Sequence, residues 1–295
     1  MPLTAAETAA ARRLIDLALA EDLHSAGDVT SAATIPAGAP GRAAAVARAA
    51  GVVAGLPVAA LVCEAVDPAL TFIPAVADGT AVAPGTELAT VAGPMRSILT
   101  AERTALNFLQ RLSGVATLTR RYVDQLAPRD SRGANCQILD TRKTTPGWRV
   151  LEKYAVRMGG GHNHRVGLYD GVLIKDNHLA ALGGGPAAVP RAVAAARAHA
   201  PGLPVEVEVD TWEQFEAALA CRPDIVLLDN MPPELLRRCA ERRAEVAPGV
   251  LLEASGGVNL QTVGAIAATG VDRVSVGALT HSAAALDIAL DYRAS

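Results

Sequence analysis

Apolar residues recur with two different periods along this chain, and the change of period separates two parts. Residues 7–23 carry apolar side chains at helical spacing, and Gly-Asp-Val-Thr-Ser at 27–31 predicts a turn after that helix. From about 42 to 93, short β-prone runs alternate with Asp-Gly, Pro-Gly and Gly-Pro turns, and the pattern near 57–66 predicts one more helix. This pattern indicates a small α+β domain.

A second, regular rhythm follows this domain. Residues 95–126 predict two helices that connect the domains, with a break at Ser113-Gly114, and the polar stretch 127–135 predicts a surface loop. The Gly-, Ala- and Pro-rich segment 180–190 predicts another loop. Six short apolar runs that end in polar residues lie at 137–143, 171–177, 205–210, 224–230, 251–257 and 273–279. Strands alternating with helices favour an α/β barrel, with a doubly wound open sheet as the alternative.

Composition narrows the class of protein. The chain has 295 residues, 51% of them hydrophobic, so it can bury a large core. Its net charge of -3 lacks the basic surplus that nucleic-acid binding needs. The longest apolar stretch, 49–63, contains Gly51, Gly55 and Pro57 and is too short to span a bilayer. The N-terminal charges suit an amphipathic helix rather than a secretion signal, so we predict a cytoplasmic protein without nucleic-acid or membrane partners.

Polar side chains stand at the C-terminal ends of the predicted strands, where an α/β barrel assembles its site. The last two runs end in Ser255-Gly256-Gly257 and Gly277-Ala278, and glycine turns let backbone N–H groups approach a phosphate. The sequence therefore predicts a phosphorylated ligand. The polar residues of the first four runs are Asp140, Thr141, Arg142, Lys143, Lys175, Asp176, Asn177, Glu206, Glu208, Asp210, Asp229 and Asn230.

Lysine is confined to one stretch of the chain. Of 27 basic residues only Lys143, Lys153 and Lys175 are lysine, as expected where a compact ammonium must meet a phosphate or carboxylate, although chance clustering is the alternative. The nearby cations suit a polyanion that carries carboxylates as well as phosphates, unless they only form salt bridges across the barrel mouth. These cations are Arg142, Lys143, His164, Arg165 and Lys175.

Two observations bear on metals. Glu208 and Asp229 lie opposite the cations, where they could take ribose hydroxyls or a magnesium ion shared with pyrophosphate. The His-x-His pair at 162–164 predicts no direct metal site, because no third ligand follows at a familiar spacing and Arg165 would oppose a dication.

Long segments over nearly the whole chain match, in order, the motifs of one enzyme family. They are ERTALNFLQRLSGVAT at 102–117, DTRKTTPG at 140–147, GGGHNHRVGLYDGVLIKDNH at 159–178, VEVEVD at 205–210, VLLDNM at 226–231, LEASGGV at 252–258 and VSVGALTHS at 274–282. With these segments the chain resembles the quinolinate phosphoribosyltransferases.

The resemblance implies a fold and an assembly. The expected fold is an N-terminal α+β sandwich domain, residues 1–115, and an incomplete α/β barrel of the type II phosphoribosyltransferases, residues 116–281. Residues 282–295 are expected to return to the first domain. A homodimer or hexamer is expected, in which Arg103 reaches the site of the neighbouring subunit.

The resemblance also implies an activity. The family transfers phosphoribosyl from phosphoribosyl pyrophosphate to quinolinate with decarboxylation, which yields nicotinate mononucleotide, carbon dioxide and pyrophosphate in NAD biosynthesis, with Mg²⁺. Carried over by motif, the quinolinate carboxylates would meet Arg103, Arg142, His164, Arg165 and Lys175. Phosphoribosyl pyrophosphate and its magnesium would meet Thr141, Lys143, Glu208, Asp229, Ser255, Gly256, Gly257, Gly277, Ala278 and His281.

Catalysis is expected from Lys143, Glu208 and Asp229. Glu206 competes with Glu208 for one role, since both lie on the same face of an alternating strand. Two other functions stay open: a related type II phosphoribosyltransferase that uses nicotinate or another acceptor, and a non-catalytic phosphate-binding barrel. The number of cations favours the dicarboxylate acceptor over nicotinate.

Overall fold

The structure is a computed structural model that describes residues 2–126 and 136–293. The predicted loop at 127–135 therefore lies outside the described residues. Two compact units form: one from Met1–Arg120, Thr144–Gly160 and Leu279–Ser295, the other from Arg121–Lys143 and Gly161–Ala278. None of the helices in the described ranges combines the length and apolar character needed to cross a lipid bilayer.

Helices and strands follow one another along the chain in two patterns. Up to residue 123 they are α1 (Ala5–Leu23), α2 (Val29–Thr34), β1 (Pro40–Ala47), β2 (Gly51–Val52), α3 (Leu56–Val66), β3 (Thr71–Pro74), β4 (Ala81–Val82), β5 (Glu87–Pro94) and α4 (Met95–Val123). From residue 137 they are β6 (Gln137–Leu139), α5 (Arg149–Met158), β7 (Val172–Ile174), α6 (Asp176–Ala181), α7 (Ala188–His199), β8 (Val205–Val209), α8 (Trp212–Cys221), β9 (Ile225–Asp229), α9 (Pro233–Val246), β10 (Leu251–Ser255), α10 (Val263–Ala267), β11 (Arg273–Ser275), α11 (Ala278–His281) and β12 (Ile288–Tyr292).

The first unit is built on an antiparallel sheet in the order β12-β1-β5-β3. The C-terminal strand β12 lies along β1, with Ala43 opposite Tyr292 and Ala47 opposite Ile288. Alternate residues of these strands face one apolar core, in which Leu88 and Leu109 are almost completely buried. The strand, although distant in sequence, thus completes the sheet of the N-terminal domain.

Two local predictions for this unit are corrected. The segment 27–31 is no isolated turn, because the Asp28 carboxylate accepts the Ser31 N–H at 2.9 Å and so begins helix α2. A short polar side chain that bonds a nearby backbone N–H serves a turn and a helix N-cap equally well, so the sequence alone did not separate them.

Helix α4 is continuous, whereas the sequence predicted a break at Ser113-Gly114. The Ser113 hydroxyl lies 3.0 Å from the Ala54 nitrogen and 3.1 Å from its carbonyl oxygen, and both are hydrogen bonds. A Cβ on Gly114 would come within 2.0 Å of the Ala284 carbonyl oxygen. These two small residues therefore permit close packing of the helix on its neighbours and do not end it.

The second unit contains a parallel sheet in the order β6-β11-β10-β9-β8-β7. From β7 to β11, strands successive in sequence are neighbours, and the last strand, β11, pairs with the first, β6. A doubly wound sheet would instead reverse its order at a switch point. Since β6 and β7 stand at the two ends of this order, the barrel is incomplete, and the predicted fold class is confirmed.

The units differ from the predicted domain boundaries in three places, one of which is that the C-terminal segment of the first unit begins at Leu279 rather than at residue 282. Helix α5 lies in the first unit, where it packs on α1, although the prediction assigned it to the barrel. The division in α4 falls after Arg120 rather than after residue 115. The predicted loop at 180–190 is also shorter, because α6 continues to Ala181 and α7 begins at Ala188.

Replacing Gly114 by Ala is expected to lower the free energy of unfolding by about 2 to 3 kcal/mol. The added methyl would overlap a backbone carbonyl, a loss larger than the roughly 1 kcal/mol gained in helix propensity. Chemical denaturation measures the change. Gly38→Ala, whose new methyl would meet open space, is the matched control, and equal stabilities of the two variants would contradict the packing explanation.

Candidate active site

A cavity of about 230 Å³ in the second unit is lined by side chains from the carboxyl ends of its strands. Charge is unevenly distributed around it, since the cations come from the segments after β6 and on both sides of β7, and the carboxylates come from β8, β9 and β10. The predicted site residues that line it are Thr141, Arg142, Lys143, His164, Arg165, Lys175, Glu208, Asp229 and Ser255.

The cation side of the cavity depends on Asp140, a buried residue at the end of β6 to which the sequence analysis assigned no role. Its two carboxylate oxygens accept the His164 N–H at 2.9 Å and the Asn163 side-chain amide at 2.6 Å. His162 also forms a bridge to Leu139. The segment that carries His164 and Arg165 is thereby attached to the first barrel strand.

Arg165 lies beside a second guanidinium group. Burial, followed by the charge of Arg142, lowers the pKa of Arg165. Its guanidinium donates to the Gly171 carbonyl at 3.0 Å, and the Asp170 carboxylate accepts the N–H groups of Val166 and Gly167, which closes the turn. Two neighbouring guanidinium groups favour an anion between them.

Glu208 and Asp229 form the acidic side. Burial raises the pKa of Glu208, Lys175 opposes that rise, and the charges of Asp229 and Asp176 add to it. Carboxylates that repel one another are relieved by a cation, and oxygen donors are those that Mg²⁺ prefers. The donor set of Glu208 and Asp229 therefore fits a magnesium ion.

Both halves of the sequence match domain models of one known family. The model of the quinolinate phosphoribosyl transferase N-terminal domain matches residues 28–113, and that of the C-terminal domain matches residues 115–291. The chain belongs to the quinolinate phosphoribosyltransferase family. The family predicted from the sequence motifs is thus confirmed.

Similar proteins support this assignment over most of their length. The nicotinate-nucleotide pyrophosphorylase [carboxylating] of Mycobacterium leprae is 51% identical over 73% of this chain and 73% of its own. A probable enzyme of the same name from Bacillus subtilis is 45% identical over 74% of this chain and 72% of its own. The crystal structure of NadC from Streptococcus pyogenes has a TM-score of 0.89 at 39% identity and covers all of both chains.

In this phosphoribosyltransferase, the turn after β10 requires glycine. Gly256 has φ +91°, and a Cβ there would come within 2.2 Å of the Asn230 side-chain oxygen. Gly257 follows with φ +62° and open space around its Cβ position. The turn thus brings bare backbone next to Ser255, which lines the cavity. Gly277 and Ala278 follow β11, and α11 begins at Ala278.

Some predicted site residues belong to the first unit. Arg103 lies on α4 with a side chain 62% exposed, and His281 is exposed, with Nδ1 at 2.7 Å from the Ser282 hydroxyl. Lys153, the third lysine of the predicted cluster, is buried in α5. Only two of the three clustered lysines therefore line the cavity.

Glu206 and Glu208 point to the same face of β8 but have different neighbours. Glu208 lines the cavity beside Lys175, whereas a Glu206 oxygen lies 3.0 Å from Nε2 of His164. His164, Glu206 and Glu253 form the one group of three potential metal ligands found among the described residues. The spacing of His162 and His164 predicted no metal site, and no sequence signal pointed to Glu253.

Replacing Asp229 by Asn is expected to lower the pKa of Glu208, because it removes a negative charge that opposes ionisation. Replacing Lys175 by Gln is expected to raise that pKa by the opposite argument. NMR titration of isotope-labelled glutamate carboxyl carbons measures both shifts. Shifts of the same sign in the two variants would contradict this description of the acidic side.

Proposed function

We propose that this protein transfers phosphoribosyl from phosphoribosyl pyrophosphate to quinolinate, releases carbon dioxide and pyrophosphate, and forms nicotinate mononucleotide for NAD biosynthesis. Cations face a pair of carboxylates across one cavity in a member of this family, and this observation carries the proposal. Two of its relatives are named for the carboxylating pyrophosphorylase reaction. The cytoplasm is the location that we expect, and cell fractionation would check it.

The quinolinate subsite is assigned to the end where Arg142 and Arg165 lie side by side. Quinolinate carries two carboxylates on adjacent ring positions, and paired guanidinium groups can bind two such anions with several parallel hydrogen bonds. Binding would also relieve the mutual repulsion that contributes to the lowered pKa of Arg165. Lys175 adds a further positive charge to this side, and His164 forms part of the wall.

The phosphoribosyl pyrophosphate subsite is assigned to Lys143, Ser255 and the glycine turn that follows. Lys143 is exposed in the segment after β6 and lines the cavity, so its flexible side chain can place the ammonium beside a phosphate. The backbone N–H groups of Gly256 and Gly257 can approach a phosphate closely because no side chain intervenes. Thr141, Gly277, Ala278 and His281 are proposed to complete this subsite on the basis of the family motifs.

The reaction follows from this arrangement. The pyridine nitrogen attacks the anomeric carbon of the ribose while the bond from that carbon to pyrophosphate breaks. Positive charge grows on the ribosyl group, and the carboxylates of Glu208 and Asp229 stabilise it electrostatically. The product is a pyridinium ring. When the adjacent carboxylate departs as carbon dioxide, its electron pair stays on the ring carbon, where the positive nitrogen stabilises it until a proton bonds to that carbon.

Magnesium is proposed as the cofactor, held by Glu208 and Asp229 together with oxygens of the pyrophosphate. The mutual repulsion of these carboxylates is the structural observation that supports it. When bound, the ion would neutralise the charge that develops on the leaving group. The chain's own residues would orient the ribose and keep the two acidic groups opposite the lysines.

We also propose a homodimer, or a hexamer built from it, in which Arg103 enters the neighbouring site. The exposed guanidinium on α4 supports the proposal, since its nearest acidic group, Glu102, is 4.0 Å away. The Arg103 contact would supply one more cation to the dicarboxylate bound in the neighbouring subunit. Sedimentation measurements distinguish the dimer from the hexamer.

Product formation from quinolinate and from nicotinate separates the proposed function from its alternatives. With phosphoribosyl pyrophosphate and magnesium present, quinolinate is expected to give both carbon dioxide and nicotinate mononucleotide, and nicotinate is expected to give little product. The reason is that nicotinate lacks the second carboxylate that the paired arginines would bind. Faster turnover with nicotinate would identify the related phosphoribosyltransferase, and no product from either would favour the non-catalytic barrel.

Alanine substitution of Lys143, Arg165 or Lys175 is expected to lower turnover at least about a hundred-fold, because each removes a preorganised charge from the reaction cavity. Steady-state kinetics measures the loss, and circular dichroism checks that the fold is kept. Arg237→Ala, on the exposed side of α9, is the matched control. Unchanged turnover in all three variants would refute the site assignment.

Mixing two inactive variants tests the shared site. Arg103→Ala and Lys143→Ala are each expected to be inactive, and subunit exchange between them should restore activity. In a mixed dimer, one site would combine an intact Lys143 with the partner subunit's Arg103. An assay before and after reversible dissociation measures recovery. No recovery, despite mixed dimers shown by mass spectrometry, would place Arg103 in its own subunit's site or outside catalysis.

A further inference from the structure

Two buried carboxylates lie against one imidazole at the floor of the reaction cavity. Nε2 of His164 lies 3.0 Å from Oε2 of Glu206 and 3.5 Å from Oε1 of Glu253. The side chains of Glu206 and Glu253 are 4% and 0% exposed. Such a pair is costly to bury, so its persistence in the barrel interior calls for a chemical reason.

The hydrogen bonds of His164 determine how many N–H groups its ring can donate to the two carboxylates. Nδ1 of His164 accepts the backbone N–H of Arg165 at 2.8 Å, so the ring hydrogen of the neutral imidazole lies on Nε2. One N–H cannot satisfy two carboxylates. Oε1 of Glu206 and both oxygens of Glu253 are buried without a hydrogen-bond partner among the residues that the structure describes.

A proton on Glu253 resolves this arrangement. Two carboxylates so close together in a buried site do not both ionise readily, because the second charge is opposed by desolvation and by the first. Burial, followed by the charge of Glu206, raises the pKa of Glu253 to about 7. The buried position of Glu253 therefore favours its protonated, acidic form.

The pair also separates two cavities. Glu253 lines the reaction cavity of about 230 Å³, together with Arg142 and Arg165. Glu206 lines a second cavity of about 140 Å³, whose wall includes Pro204 and Arg273. These two residues stand at the amino ends of β8 and β11, so the second cavity lies towards the opposite end of the sheet from the site. Glu253 is therefore the member of the pair that lines the reaction cavity.

The proposed reaction creates a demand for one proton. Loss of carbon dioxide leaves an electron pair on the ring carbon beside the nitrogen, and nicotinate mononucleotide carries a hydrogen there. The side chains assigned to the quinolinate subsite are cations, and their positive charge is needed to hold the anionic substrate. A neutral carboxylic acid at the floor can give up its proton without removing any of those charges.

We propose that Glu253 donates the proton that replaces the lost carboxylate. The bond between the ring carbon and the carboxylate breaks, its electron pair stays on the ring carbon, and carbon dioxide departs. The Glu253 O–H bond then breaks and its proton bonds to that carbon. After the product leaves, Glu253 regains a proton from solvent water. The inference rests on the proposed function.

The same three side chains could bind a metal ion, and charge argues against it. Arg165 and Arg273 act electrostatically on Glu206 and Glu253 respectively, so a dication would meet two guanidinium groups at short range. Protons compete well with metal ions for a carboxylate pair in such surroundings. The cluster is therefore assigned to proton transfer.

Glu253→Gln in the full-length protein tests the proposal, because glutamine keeps the shape of the side chain but has no acidic proton. Single-turnover reactions are quenched over time, and pyrophosphate, quinolinate mononucleotide and nicotinate mononucleotide are measured separately. In the unaltered protein, pyrophosphate and nicotinate mononucleotide should appear together. In the variant, pyrophosphate formation should be nearly unchanged while nicotinate mononucleotide forms at least about ten-fold more slowly, so quinolinate mononucleotide accumulates.

Two further variants make the result decisive. Glu253→Asp, which retains an acid, should restore part of the second step. Glu241→Gln, exposed on α9, is the matched control and should behave as the unaltered protein. If Glu253→Gln does not fold, Glu253→Asp carries the test, because its shorter acid should slow the second step and leave pyrophosphate formation unchanged.

The outcomes distinguish a wrong proposed function from a wrong proton donor. No pyrophosphate from the unaltered protein would contradict the proposed function itself. Pyrophosphate and nicotinate mononucleotide slowed equally in the variants, or not slowed at all, would leave the function intact and overturn the proton donor. A metal ion bound stoichiometrically to the purified protein and lost in Glu253→Gln would also overturn it.

Discussion

Like charges held side by side are the constraint on which the rest of the barrel depends. Arg142 and Arg165 share one side of the cavity, and Glu208 faces the repulsion of Asp229. Glu206 and Glu253 repeat the arrangement at the floor of the cavity. Each pair is unfavourable in an isolated protein and becomes favourable when an ion of opposite charge or a proton joins it. Each pair therefore indicates what the site is built to receive.

The scaffold must hold these charges against their repulsion, and it does so with hydrogen bonds to the backbone. Asp140 fixes the segment before Arg165 through the His164 N–H, and Asp170 closes the turn after it. The Arg165 N–H in turn fixes the imidazole of His164. Rigid support of this kind keeps the charged groups in place before a ligand arrives, which is the usual source of electrostatic catalysis.

The sequence predicted the barrel because each of its strands is a short apolar run that ends in polar residues. It also placed Lys143, Lys175, Glu208 and Asp229 at strand ends, and parallel strands bring such ends to one cavity. Predictions failed where one local pattern suits two structures. Asp28 could cap a helix or close a turn, and Ser113-Gly114 could end a helix or pack tightly within one.

The period of the apolar positions and the order of the motifs were therefore determined by the sequence itself, since they depend on local spacing and on residue types. Only the tertiary structure decided the role of Gly114, because the carbonyl it accommodates belongs to Ala284, far along the chain. The same holds for Glu253, which reads in sequence as one more polar position on an interior strand. Its chemistry depends on Glu206 and His164, and their proximity exists only after β8 and β10 have taken their places in the sheet.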